Sequence, residues 1–324
     1  MAMRALLGVG GVGLVCAGGA GFVYRRRLQE NRATTAEAYN GVQDQAALAQ
    51  ALAAVAAHAQ KPSVTTAAAV PPIDFYRYTT CPFCGKVKAF LDYFQVPHTC
   101  IEVEPMFKGE IRHSTYKKVP QLRFCTSGSG KKDDASSPWL VDSDLIVDKL
   151  APILGVPSKQ LEDPDVMKWR AWARESLVRH LVMNINQSLV SAWQGYEYID
   201  AFDTIPLQNK LFLKAMGAPV MYLVAQLKTK PALVKAGELA EGQDVKEVLH
   251  AQVATFQNDA LSGGKPFHGG KAPDLADIDV YGVFQSIRGH AIYDDLYRSP
   301  KLSGLTQWLD RMDEATKKAP YQAR

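Results

Sequence analysis

Two cysteines separated by two residues, Cys81 and Cys84, stand where one periodicity gives way to another. Ahead of them Ile73 to Tyr78 alternates as a strand does; behind them Val87, Phe90, Leu91 and Phe94 recur at helical spacing. The pair therefore marks a strand-to-helix junction. Unpaired backbone N–H groups and the positive end of a helix dipole stabilise a thiolate there, which makes Cys81 the acidic, exposed and nucleophilic thiol. Pro82 suits the first helical turn, because its missing N–H would have had no partner.

From Ile73 onward the pattern reads strand, helix, strand, a helical or irregular stretch, strand, strand, helix. The strands are Ile73–Tyr78, Thr99–Val103, Gln121–Phe124 and Trp139–Val141; the helices are Pro82–Phe94, Pro105–Thr115 and Ser143–Leu150. A βαβ unit followed by ββα, with a two-cysteine motif after the first strand, is a thioredoxin-like α/β arrangement. Ser127 to Asp134 is polar and glycine-containing, a hairpin loop between the last two strands. Val119-Pro120 opens the third strand, where this fold places a cis proline facing the cysteines and leaves the preceding backbone free for a peptide-like ligand. Asp142-Ser143-Asp144 is a capping cluster whose N–H groups suit a carboxylate. Together these make half of a glutathione site; singly they read as a strand start and a helix cap.

The rest of the chain frames that site. The net charge of +4 over 324 residues is small and comes largely from Arg4, Arg25, Arg26, Arg27 and Arg32. No basic stripe interleaved with aromatics follows, which excludes nucleic acid as a partner. Five cysteines form an odd, sparse set that fits a reducing compartment better than a disulfide framework. Cys100 and Cys125 make no second close pair and no histidine pair has ligand spacing, so no metal site is expected; both read as small buried strand residues, and His98 and His113 as surface residues. Ala5 to Tyr24 is uncharged and long enough to span a bilayer, and Arg25-Arg26-Arg27 closes it. This implies a single-pass anchor with the arginines on the cytoplasmic or matrix side, with a mitochondrial presequence as the alternative; the location expected for the anchored protein is the Golgi or another endomembrane. Gly8 to Gly13 matches G-x-G-x-x-G, but no strand precedes it and no acidic partner follows.

Four segments result: residues 1–27 as anchor or targeting segment, 28–72 as an alanine- and proline-rich linker, 73–155 as the α/β domain and 156–324 as an all-α domain. Within the linker Ala46 to Ala59 favours a tether or surface helix. In the last segment Asp163-Pro164 starts one helix, Pro206 to Lys228 forms another that Pro219 kinks or divides, and Asp274 with Asp277 forms a capping box. Lys168, Trp169 and Tyr222 read as helix surface or core before they read as pocket walls.

The run Tyr78-Thr79-Thr80-Cys81-Pro82-Phe83-Cys84-Gly85-Lys86-Val87 resembles glutaredoxins, and Tyr116 to Pro120 with Val141-Asp142-Ser143 completes their glutathione set. Ser114 to Pro120, Lys168-Trp169-Arg170, Met216-Gly217-Ala218 before Met221-Tyr222-Leu223, and Pro273 to Asp277 extend the likeness to the membrane-associated prostaglandin E synthase type 2 family, over roughly residues 73 to 320. That resemblance implies a glutaredoxin-like domain joined to a glutathione-transferase-like helical domain, a homodimer, and isomerisation of prostaglandin H2 to prostaglandin E2. By position it makes Cys81 the catalytic thiol, Tyr78 a hydroxyl aimed at the same pocket, Cys84 the second cysteine, and Val119, Pro120, Asp142 and Ser143 the glutathione residues. Some members bind haem through the glutathione sulfur and then fragment the endoperoxide. The same residues also permit a second activity, thiol–disulfide exchange with glutathione.

Overall fold

The structure, a computed structural model, describes Phe22, Arg25, Arg26, Gln29 and residues 34–60, 73–105, 107–112, 114–125, 137–201 and 207–318. Apart from Phe22, the apolar stretch Ala5 to Tyr24 lies outside the described residues, as do the polar loop Ser127 to Asp134 and His113. Among the described residues no helix is long and apolar enough to cross a membrane. The chain gathers into two compact units: residues 34–103, 108–178 and 250–324 form one, and residues 1–33, 104–107 and 179–249 the other.

In the first unit the alternation of Ile73 to Arg77 becomes β1 (Ile73–Arg77), the strand from which the sheet grows. A helix, α3 (Pro82–Tyr93), carries the chain over to β2 (Thr99–Glu102), which pairs parallel with β1. Then β3 (Gln121–Phe124) and β4 (Trp139–Val141) add antiparallel neighbours, giving the order β2-β1-β3-β4. Register puts Phe75 opposite Leu122 and Leu122 opposite Leu140, and that apolar row is buried. The buried stripes of α3 (Val87, Phe90, Leu91) and α4 (Ser143–Leu150; Ile146, Val147, Leu150) complete the expected thioredoxin-like domain. Element ends differ from the expected ones by a residue, the usual fraying.

One expected element is corrected. Within Pro105–Thr115 the only helical structure described is a single 3₁₀ turn, Gly109–Ile111. Lys108, just before it, has φ 53°, outside the helical region, and the Lys117 ammonium donates to the carbonyls of Ile111 and Arg112. That side of the sheet, carrying Tyr76 and Trp139 with Val103 and Ile111, therefore lacks a full covering helix.

Cover comes from the stretch expected to be linker. Thr35 caps α1 (Ala36–Gly41), and α2 (Gln45–Gln60) buries Leu48, Ala51 and Val55. Asn40 grips edge strand β4 twice: its Nδ2 donates to Val141 O and its Oδ1 accepts from Val141 N, both at 3.1 Å. Gln43 Oε1 accepts from Trp139 N at 2.7 Å. Side-chain amides thus satisfy backbone groups that an open sheet edge would leave to solvent.

The helical C-terminal part of this unit begins as the sequence signals. Asp163 caps α5 (Pro164–Trp172) by accepting from Asp165 N and Val166 N. Asp274 and Asp277 form the reciprocal capping box of α6 (Leu275–Gln285), which is buried from Leu275 to Phe284. Against α3 this helix approaches backbone to backbone: a Cβ on Gly85 would lie 2.0 Å from Gly282 O, and one on Gly282 2.5 Å from Gly85 O. Trp169 is core, meeting Trp172 and Phe256 edge-on; Phe256 in turn meets Trp308 on α7 (Ser303–Ala315), and the Lys168 ammonium sits 4.6 Å over the Trp169 ring.

In the other unit a helix runs unbroken from Leu207 to Val224 with Pro219 inside it. The expected interruption comes later, as a π turn at Ala225–Thr229 before Lys230–Lys235. Met183, Ala225, Leu233 and Leu239 form the apolar cluster there, and Gly217 leaves room for the Tyr196 ring.

Candidate functional site

Cys81 is the N-cap of α3, in an extended conformation, half-buried, with Pro82 in the first turn. Its thiol is held below the ordinary thiol range first by a hydrogen bond from the Cys84 side chain, then by the N–H groups of Cys84 and Phe83, against the opposing effect of burial. Cys84 is buried and pushed well above that range, chiefly by desolvation. The two sulfurs are thus unequal: Cys81 is the more acidic thiol and Cys84 is its hydrogen-bond donor.

The turn ahead of the thiol is fixed by a residue that local pattern did not single out. Glu102, at the end of β2, accepts from Thr79 N at 2.7 Å and from Thr79 Oγ1 at 2.9 Å. Burial raises its pKa. Cys81 N in turn donates to Tyr78 O at 3.1 Å. The Tyr78 ring packs against the cluster of Tyr76, Val103, Ile111 and Trp139, and Val119 packs against that same cluster.

The Val119-Pro120 peptide is cis, and Val119 stands ahead of the ladder that begins at Gln121. Gln121 shapes the approach by donating from Nε2 to Tyr116 O at 2.7 Å and Lys118 O at 2.8 Å. Asp142, with φ 77°, caps α4 by accepting from Asp144 N and Leu145 N; Ser143 begins the helix and is buried. Asp142 thus serves the N–H groups of Asp144 and Leu145, and the Ser143 N–H is the first-turn donor that this cap does not take. Tyr116, which the sequence marks only as the start of a motif, is buried, and its hydroxyl pKa is raised by desolvation first, then by Asp142, Glu37, Cys81 and Cys84. It therefore sits within electrostatic reach of both cysteines and the helix cap.

Behind the thiol lies a charge network. Lys86, on α3 and fully buried, reaches Asp144 of α4 at 2.5 Å and Asp279 of α6 at 3.1 Å. Arg170 joins Asp279 at 3.0 Å to Asp148 at 2.9 Å, and Arg174 holds Asp144 at 2.7 Å. Lys86 drives the Asp144 carboxyl down to about 2 despite its burial.

Three sequence expectations for other residues are corrected. Cys100 is exposed, because β2 is an edge strand. Cys125 is half-buried beyond the end of β3, its Sγ 3.4 Å from Asp74 Oδ2. His98 is packed rather than on the surface: its side chain is 8% exposed, Nδ1 meets Val96 O at 2.8 Å, and burial lowers its pKa. His268, Asp274 and Asp277 do bring three possible ligand atoms within 4.8 Å of one another. Both carboxylates are committed elsewhere, however. Asp277 accepts from the N–H groups of His268, Gly269 and Asp274 and from Trp308 Nε1, and Asp274 accepts from Ala276 N, Asp277 N and His268. That arrangement is a helix cap braced by a histidine.

Comparison with known proteins places this geometry. The glutaredoxin family model matches residues 73–125. Prostaglandin E synthase 2 of Mus musculus is 30% identical over 292 residues, covering 76% of this chain and 71% of the relative. The chain belongs to the prostaglandin E synthase 2 family. The Danio rerio prostaglandin E synthase 2 is 29% identical over 285 residues, covering 75% of this chain and 71% of that one. Among solved structures, glutaredoxin 2 of Salmonella typhimurium in complex with glutathione overlaps 76% of this chain and 94% of its own, at 14% identity and a TM-score of 0.44. Glutathione transferase Omega 1C of Trametes versicolor overlaps 76% and 90%, at 15% identity and 0.42. Within the prostaglandin E synthase 2 family, then, this chain carries its thiol pair on a glutaredoxin-like domain followed by a helical part.

Proposed function

We propose that the protein is a glutathione-dependent isomerase that converts prostaglandin H2 to prostaglandin E2 with Cys81 as its working thiol. The observation that supports this most is the unequal pair: an acidic, half-buried Cys81 at a helix start and a buried, high-pKa Cys84 that donates to it. The isomerisation cleaves a weak O–O bond and removes a carbon-bound proton, with no net change in electrons. In this reading Cys81 engages one peroxide oxygen as a polarised thiol or thiolate. Tyr78, whose carbonyl accepts from Cys81 N and whose ring packs on the neighbouring apolar cluster, is assigned to the developing alkoxide.

Glutathione fits the residues present. The Val119 backbone outside the ladder suits its extended peptide, and the start of α4 at Asp142 and Ser143 suits its γ-glutamyl carboxylate. When bound it would supply a second thiol beside Cys81. Haem, where the resembling family binds it, takes the glutathione sulfur as its iron ligand, so its uptake would depend on the same glutathione site. The reading also takes 73–155 and 156–324 as the glutaredoxin-like and glutathione-transferase-like domains of a homodimer, and Ala5 to Tyr24 as the membrane anchor.

Thiol–disulfide exchange is the second reading, favoured by the direct hydrogen bond between the two cysteines. The full chain in detergent, incubated with prostaglandin H2 with and without glutathione, separates the two. The isomerase reading expects Cys81→Ser to abolish prostaglandin E2 formation and Cys84→Ser, which keeps a donor, to retain it. Cys84→Ala removes that donor and should raise the pH midpoint of Cys81 alkylation. A product mixture equal to spontaneous decay in every condition sinks the isomerase reading.

A further inference from the structure

Beyond covering the sheet edge, α1 reaches the glutathione end of the site through Ala36, Glu37, Tyr39 and Asn40. Asn40 holds both backbone groups of Val141, the residue immediately before Asp142. Ala36 packs with Tyr116 and Val141, and the Tyr39 ring lies 6.1 Å from that of Tyr116. Tyr39 also packs against the cluster that Tyr78 and Val119 share. Glu37 contributes to the electrostatic environment of Tyr116, as do Asp142 and both cysteines.

We infer that α1 is the outer wall of the glutathione site and that Asn40 is a positioning residue for Asp142 and Ser143. The inference rests on the reading of that site as a glutathione site. Asp142 has the positive φ that a non-glycine residue adopts only when its surroundings hold it there. On its C-terminal side the α4 cap supplies that hold; on its N-terminal side the bidentate Asn40 clamp on Val141 does. Releasing the clamp frees the backbone that aims the first N–H of α4, so the loss should appear in glutathione affinity before it appears in thiol reactivity.

Calorimetric titration of the full chain with glutathione tests this, using Asn40→Leu, Asn40→Asp and, as a control in α2, Leu48→Ala. Asn40→Leu loses both bonds and should weaken glutathione about tenfold or more, because the freed Val141–Asp142 backbone must then be ordered when the ligand binds, at roughly a factor of ten per residue. Asn40→Asp keeps the bond from Val141 N and should fall between wild type and Asn40→Leu. Leu48→Ala should lower the melting temperature and leave glutathione affinity unchanged. Cys81 alkylation by iodoacetamide without glutathione should be the same in all four proteins. Wild-type affinity in Asn40→Leu, or an equal loss in Leu48→Ala, would reduce α1 to scaffold and overturn the inference. If wild type itself takes up no glutathione, the site reading fails and the inference falls with it; that arm is read before any variant.

Discussion

Replacing Lys86 with methionine tests whether the charge network behind the thiol holds the first unit together. Lys86 is fully buried and is one of two cations on Asp279, itself fully buried, whose Oδ1 has no hydrogen-bond partner. Methionine preserves most of the volume, so the change isolates the charge. Removing one member of a buried ion pair costs roughly 3–5 kcal/mol when its partner is left uncompensated. Here Arg170 still holds Asp279 and Arg174 still holds Asp144, which argues for the lower end, about 3 kcal/mol. At about 2–4 °C per kcal/mol for a body of this size, the melting temperature should fall by roughly 6–12 °C. Urea unfolding should show a lower midpoint with an unchanged slope. The decisive comparison is the double change Lys86→Met with Asp279→Leu, which leaves Arg170 with Asp148 and strands no buried carboxylate. It should be more stable than Lys86→Met alone. A Lys86→Met protein within about 0.5 kcal/mol of wild type, the range of an ordinary surface substitution, would refute the reasoning. So would a double variant less stable than the single one.

The contact between α3 and α6 makes a second prediction. Gly282→Ala puts a methyl group 2.5 Å from Gly85 O and the Lys86 Cα, both backbone, so it should destabilise by about 3 kcal/mol or more, the upper range for overpacking, and lower the urea midpoint. The third concerns pH. Burial would depress His268, but the carboxylates of Asp274 and Asp165 outweigh it and lift its pKa to about 9. A group raised on folding contributes fully below its unfolded value and loses that contribution as pH climbs through the folded one. The melting-temperature gap between wild type and His268→Gln should therefore be widest near pH 6 and close between about pH 6.5 and 9.5. A gap that stays constant over that window contradicts the assignment.

How far the sequence reached depended on the range of the interaction. Caps were legible because their partners are neighbours: Asp163 with Asp165, and Asp274 with Asp277, act over two or three residues. The Cys81 helix start was legible for the same reason, and so were β3 and β4 with their bounds. The misplaced helix at Pro105–Thr115 failed where composition permits either state and long side chains decide: Lys117 takes carbonyls that a helix would have kept for itself. Cys100 was misplaced because exposure in a strand depends on sheet order, and nothing local says that β2 is an edge.

The least legible features are those that complete the candidate site. Asn40 and Val141 are 101 residues apart, and Thr79 and Glu102 are 23 apart. Each is a polar side chain satisfying backbone at a place where the fold alone would leave it open, and no periodicity marks such a residue. A physical demand does mark it. An edge strand must be covered, and the turn before a thiolate must be fixed if that thiolate is to keep its orientation. With the sheet order known, β4 required a partner beyond β3, and the polar residues of the alanine-rich stretch, Asn40 and Gln43, were the candidates to supply it. The cover that Asn40 and Gln43 give β4 thus answers a demand set by the sheet order. This makes Asn40 a more discriminating test of the glutathione site than Cys81, whose loss would silence nearly any thiol chemistry.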